Sequence, residues 1–179
     1  MTPRFSTPVL SDGTVRLRAP EPSDTDMMYL WENDPGLWEC GTGVAPVSRH
    51  QLAEYIDNYD GDIYSCGQLR MVVELEATGE AVGTLDFTHC DARDRRARVG
   101  IFITPAYRRR GLASRVLSVA KAYAASTLGL HMLMALVAVD NEASRALFAA
   151  AGFSTCGRVR SYLRRGRSFC DIILYQVLL

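Results

Sequence analysis

No apolar run in the 179 residues reaches the roughly 18 consecutive positions that a membrane-spanning helix needs. The first residues show no basic stretch followed by an apolar one, so no secretory signal is expected and a cytoplasmic location is the natural expectation. Cysteine is sparse and scattered: Cys40, Cys66, Cys90, Cys156 and Cys170 are odd in number and never fall in CxxC spacing. That pattern argues against a disulfide framework or a zinc site and for free thiols in a reducing compartment. Histidine is rarer still. His89 and His131 have no partner at the spacing of a metal site or a catalytic triad, so no metal is expected. Internal repeats and low-complexity segments are absent, and a chain of this length is expected to form one domain with a full core.

Net charge is also absent, but its zero sum hides two unlike regions. From Glu21 to Asp62 ten carboxylates face a single cation, Arg49. From Arg93 to Arg115 the imbalance reverses, with eight arginines against Asp94. A basic centre suits a polyanionic cofactor, and an acidic lobe suits a cationic acceptor.

Residues 1–13 read as a tail that ends in the turn Ser11-Asp12-Gly13. Thr14 to Arg18 alternates as a first strand. Ser23 with Asp26 suggests a capped helix whose buried side is Met27, Leu30 and Trp31. Asn33-Asp34-Pro35-Gly36 ends it. Ser48 and Gln51 form a capping box for a second helix, in which Leu52, Tyr55, Ile56 and Tyr59 recur at helical spacing. Leu69–Glu76 and Ala81–Thr88 flank Ala77-Thr78-Gly79-Glu80 as a β-hairpin. Two more strands, around Phe153–Leu163 and Phe169–Val177, meet at Arg165-Gly166.

Between them lies the stretch around which the chain is organised. Val99 to Ile103 has the length and β-branched content of a buried strand, and Pro105 ends it. Arg108 to Ala113 then reads Arg-x-x-Gly-x-Ala and opens an amphipathic helix with Leu112, Val116, Val119, Ala120 and Tyr123 on one side. A strand, a tight turn and a helix N-terminus make an anion site, because free first-turn N–H groups converge there. Gly111 and Ala113 leave room for a phosphate, but the Lys-Ser/Thr of a nucleotide-hydrolysing loop is missing.

The segment resembles the signature of the GCN5-related N-acetyltransferases, (Gln/Arg)-x-x-Gly-x-(Gly/Ala) after a strand and opening a helix. A second block strengthens the likeness: the strand Leu133–Val139, then Asn141, a short helix, and Gly152-Phe153. The resemblance covers roughly residues 14–179. It implies an α/β fold with a mixed, mostly antiparallel sheet of about seven strands, about four flanking helices, and a fourth strand splayed from the fifth.

It also implies acetyl-coenzyme A as co-substrate and direct attack of an amine on its thioester. By carry-over, Ile101, Phe102 and Ile103 would contact the pantetheine arm. Arg108, Arg109, Arg110, Gly111, Leu112, Ala113 and Ser114 would hold the pyrophosphate, while Asn141 and Phe148 would meet the cofactor from the far side. A backbone N–H of the fourth strand would stabilise the developing oxyanion. Two positions depart from the pattern. Many members carry a Tyr as general acid where this chain has Phe148, and a Glu as general base where it has Arg98.

The amine must still lose a proton, which costs about 4.6 kcal/mol at pH 7 for an alkylamine of pKa near 10.4. Asp86, an acid in an otherwise apolar strand, and Ser144, one turn after Asn141, are the catalytic candidates. Tyr107 and Tyr123 are substitute acids, the latter on an apolar helix face. Val15–Ala19 with Trp31–Pro35 resembles the branch of ribosomal-protein N-terminal and spermidine or diamine acetyltransferases, and residues 128–153 are similar to the bacterial polyamine enzymes. That branch implies acidic contacts for a polyamine within residues 32–57, where Glu32, Asp34 and Glu39 are the candidates, and homodimers or larger rings; Asp86, from its place in the strand, is a further candidate contact. Rival readings are a protein N-terminal acetyltransferase and a coenzyme A-binding regulatory module without turnover. Nucleic acid and membrane are not expected partners, since Arg158, Arg160, Arg164, Arg165 and Arg167 read as a solvated hairpin.

Overall fold

The computed structural model describes residues 10–38 and 45–179. The chain divides into two units, one of Ala19–Gly61 and one of the residues up to Arg18 together with Asp62–Leu179.

The larger unit is built on β1 (Val15–Arg18), β2 (Gln68–Leu75), β3 (Ala81–Asp91), β4 (Arg96–Ile103), β5 (Met132–Ala138), β6 (Ser154–Arg165) and β7 (Ser168–Leu178). They form one sheet in the order β1-β2-β3-β4-β5-β7-β6. Every neighbouring pair is antiparallel except β4 and β5. A parallel pair needs a crossover, and α5 (Leu112–Ser126) supplies it. Its apolar side buries Leu112, Val116, Leu117, Val119, Ala120 and Ala124. Alternate residues of the strands, among them Leu85, Phe87, Ala97, Val99 and Leu133, complete this core. Each fully buried Leu or Phe contributes roughly 1.5–3 kcal/mol through the apolar surface it removes from water.

Two shorter helices belong to the same unit: α4 (Ile63–Cys66) before β2 and α6 (Glu142–Ala150) after β5. At the β1 end of the sheet, buried Glu74 is clamped by Arg16 and Arg18. At the other end β6 is an edge strand, exposed from Ser154 to Tyr162 and interrupted by bulges. Ser161 takes a positive φ there, its N–H donating to Asp171, which also receives Arg158. Bulges and arginines at such an edge oppose unwanted strand pairing.

The smaller unit holds α1 (Thr25–Glu32), α2 (Pro35–Trp38) and α3 (Arg49–Asp57). Ser48 and Gln51 cap α3 reciprocally, as the spacing predicted. The other capping box is not Ser23 with Asp26. Pro22 starts a 3-10 turn instead, and Asp24 accepts the Glu21 N–H at 2.7 Å. The apolar side of α1 is also rotated from expectation: Met28 is buried with Leu52 and Ile56, whereas Leu30 is 67% exposed. Asn33 ties this unit together, donating to the Tyr29 and Val47 carbonyls and accepting the Val47 N–H, each at 2.9 Å. Among the described residues no helix is long and apolar enough to cross a membrane.

Candidate active site

β4 and β5 pair over only three positions, Arg96 with Met132, Ala97 with Leu133 and Arg98 with Met134. Beyond Arg98 the strands part: β4 runs on to Ile103 beside β3, and β5 continues to Ala138 beside β7. The β5-facing backbone of β4 leaves the ladder at this fork, where an extended ligand can enter. Gly83 secures the far end of β4. A Cβ on Gly83 would lie 2.0 Å from the Phe102 carbonyl oxygen, so only glycine permits this approach of β3 to β4. Ile101, Phe102 and Ile103 all lie on this diverging half of β4.

The chain leaves β4 through a 3-10 turn, Pro105–Tyr107, and enters α5 at Gly111. Gly111 has φ +74° and gives no side-chain cap. The first α5 backbone bond runs from the Arg115 N–H to the Gly111 carbonyl, which leaves the Leu112, Ala113 and Ser114 amides ahead of the helical ladder. They form the anion-ready helix end that the sequence predicted. The three arginines have different surroundings. Arg108 donates from Nε to the Ile103 carbonyl at 2.9 Å and ties the loop to β4. Arg110 lies 4.7 Å over the Tyr107 ring. Arg109 holds φ +60° and is exposed. Tyr107 donates its hydroxyl to Glu80, a bond that raises its pKa, so this phenol is already engaged.

Across the fork, Asn141 caps α6, its Oδ1 accepting the Ser144 N–H at 3.0 Å. Its side-chain NH₂ keeps its donors for other use. Ser144 is half-buried in the first turn of α6. Phe148, expected to face the cofactor, is a core residue: it is 4% exposed, edge-on to Phe153 at 5.0 Å and stacked with Tyr175 at 6.3 Å. Tyr123 is half-buried, and burial raises its pKa.

Asp86 stands on β3 opposite Gly100 of β4, on the face of the sheet it shares with Thr88 and Arg98. Arg70 donates to it from Nε at 2.7 Å and from Nη2 at 3.3 Å, and Gln68 at 3.3 Å. Among the described residues Arg98 has no hydrogen-bond or ion-pair partner. In the smaller unit Asp34 accepts the Gly36 N–H at 2.8 Å and Glu32 closes α1. Glu39 lies outside the described residues. Sequence reasoning passed over Gly83, although a glycine inside an apolar strand is itself a mark of close backbone approach.

Residues 14–154 match the model of the acetyltransferase (GNAT) domain. The spermidine N(1)-acetyltransferase of Escherichia coli K12 is 33% identical over 146 residues, 82% of this chain and 76% of the relative. The uncharacterized N-acetyltransferase YoaA of Bacillus subtilis is 36% identical over 109 residues, 61% of this chain and 62% of that protein's length. The structure of spermidine N-acetyltransferase from Vibrio cholerae in complex with CoA and spermine superposes with a TM-score of 0.80 at 23% identity, covering 93% of this chain and 96% of that one. The parted strands, the uncapped helix end and these matches place the chain in the GNAT acetyltransferase family. The family's chemistry is acetyl transfer from acetyl-coenzyme A.

Proposed function

We propose that this protein transfers an acetyl group from acetyl-coenzyme A to a primary amine of a polyamine or diamine such as spermidine. The observation that carries the reading is the three-residue β4–β5 ladder followed by the uncapped N-terminus of α5. In this reading the Leu112, Ala113 and Ser114 amides and the Arg108–Arg110 loop bind the diphosphate, while the diverging half of β4 and Asn141 orient the arm. Acetyl-coenzyme A, when bound, supplies an activated acetyl thioester.

The acceptor reading draws support from the spermidine-acetylating relative and from the acidic composition of residues 19–61. Glu32, Asp34 and Glu39 are the carboxylates proposed to bind the cationic acceptor. Asp86 and Ser144 are the groups proposed to move protons. Asp86 is paired with Arg70, so a proton would reach it only at the lone pairs its partners leave free. Arg98 acts in the opposite sense to a carboxylate: a nearby guanidinium favours the neutral form of an amine, lowering the cost of deprotonation.

Thiol release from acetyl-coenzyme A, measured against spermidine, spermine, putrescine and a peptide with a free N-terminus, tests this. Saturable turnover with polyamines, weakened by salt and by neutralising Glu32, Asp34 and Glu39, is expected. Turnover with the peptide alone would replace the acceptor, and coenzyme A binding without any turnover would overturn the polyamine reading, leaving an acceptor outside this panel or a sensor.

A further inference from the structure

The two faces of the sheet at the fork are unlike. On one face Ala97, Val99, Leu133 and Ala135 are buried in the core, which closes that side. The other face of β4 carries Arg96, Arg98, Gly100 and Phe102, none of them buried. Gly100 is exposed, and nothing lies within 4 Å of the place its Cβ would take. Open space therefore borders Arg98, the last β4 residue that pairs with β5. An amine that approaches a thioester held in the fork from the open face passes this residue.

Charge decides what the place favours. Asp86, opposite Gly100, is paired with Arg70 and also receives Gln68. Arg96 is paired with Asp91 and Asp94. Arg98 is half-buried, and among the described residues it has no hydrogen-bond or ion-pair partner. Its register neighbours are Thr88 on β3 and Met134 on β5, neither of them an anion. Partial withdrawal from water without a partner costs a guanidinium free energy that an anion would restore. Its planar donors match a carboxylate through two parallel hydrogen bonds. The phosphates of the co-substrate have their own place at the first turn of α5, so the anion that suits Arg98 comes with the acceptor.

We propose that Arg98 binds a carboxylate carried by the acceptor, so that the protein acetylates diamino carboxylic acids as well as diamines. The inference rests on the acetyl-transfer reading above and adds an acceptor class to it. Such an acceptor keeps the second ammonium of a diamine and gains a group that Arg98 can hold. The neutral amine next to the carboxylate attacks the thioester carbonyl, and a C–N bond forms as the C–S bond breaks. The proton lost by the amine goes to the sulfur, so the products are the N-acetylated amino acid and the coenzyme A thiol. A charge-assisted contact of this kind changes relative efficiency by about tenfold.

Ornithine and putrescine provide the test, since they share one chain and differ by the carboxylate. Thiol release from acetyl-coenzyme A gives kcat/KM for each with the wild type, Arg98→Gln and Arg98→Lys. The expected result is turnover of ornithine, with a ratio of ornithine to putrescine efficiency that falls about tenfold in Arg98→Gln and recovers in part in Arg98→Lys. Loss of folded protein lowers both rates alike and leaves the ratio unchanged. If Arg98→Gln turns over neither, the ratio of the two binding constants to its coenzyme A complex, measured by calorimetry, decides in the same way. Failure of the wild type to use ornithine, or a ratio unmoved by Arg98→Gln, would overturn the proposal, and turnover of putrescine would then spare the polyamine reading. Turnover of neither ornithine nor any polyamine would overturn both.

Discussion

The Phe102 carbonyl oxygen occupies the space that a Cβ on Gly83 would need, 2.0 Å away. β3 therefore holds β4 in place at the point where β4 no longer has β5 beside it. Beyond Arg98 the ladder with β3 is the pairing that β4 retains, because β5 no longer pairs with it.

Gly83→Ala forces backbone apart and is expected to destabilise the fold by about 1–3 kcal/mol, as overpacking does, and to weaken coenzyme A binding. Gly100→Ala is the control: nothing lies within 4 Å of its added Cβ, and its stability should stay within about 0.5 kcal/mol of wild type. Thermal unfolding of the two variants, with coenzyme A titrations, checks the pair.

Asn141→Ala removes the α6 cap and should cost about 1 kcal/mol of stability. If the NH₂ group also meets the arm of the cofactor, coenzyme A affinity falls as well. Asn141→Asp keeps the capping oxygen but loses the donor, so it should recover stability without recovering affinity.

Asp86→Asn separates a proton-moving role from a structural one. A base at Asp86 predicts a kcat loss of about 10²–10⁴-fold, little change in KM, and loss of the acid limb of the pH–rate profile. A purely structural Asp86 predicts reduced stability, since Arg70 loses its carboxylate, with the shape of the pH profile unchanged.

Acid should loosen three loops together. Burial would raise the Asp12 pKa, but the Val15 and Thr14 amides and Arg115 hold it below the ordinary value. The Asp94 amide lowers Asp91, with help from Arg96 and the Arg93 amide. The Ser161 amide and Arg158 lower Asp171. Groups with depressed native pKa values bind fewer protons folded than unfolded, so their stabilisation is present above the unfolded value of about 3.9 and lost as pH falls through the native ones. Unfolding curves should change little between pH 7 and about pH 5 and fall below about pH 4. Replacing the three by Asn should flatten that fall.

Much of the architecture was legible in local pattern. The period of α3, its Ser48–Gln51 box and the two apolar strands flanking the Thr78-Gly79 turn need no tertiary information. The face of α1 was not legible, because eight residues hold barely two turns and both Met28 and Leu30 are apolar. The one-turn helices α2 and α4 are too short to show a period at all. The divergence of β4 from β5 has no signature in either strand and came only from the family likeness. Phe148 shows the same limit at the site: its residue type fits cofactor or core, and its packing against Phe153 and Tyr175 is visible only in the folded chain.

The measurement that most directly tests the account is an amide NMR titration of the labelled chain with coenzyme A. The account expects saturable shifts at Leu112, Ala113 and Ser114, at Val99 to Ile103 and at Asn141, with the hairpin turn at Gly79 unmoved. Saturable binding that leaves the first turn of α5 and the free half of β4 unshifted would contradict it.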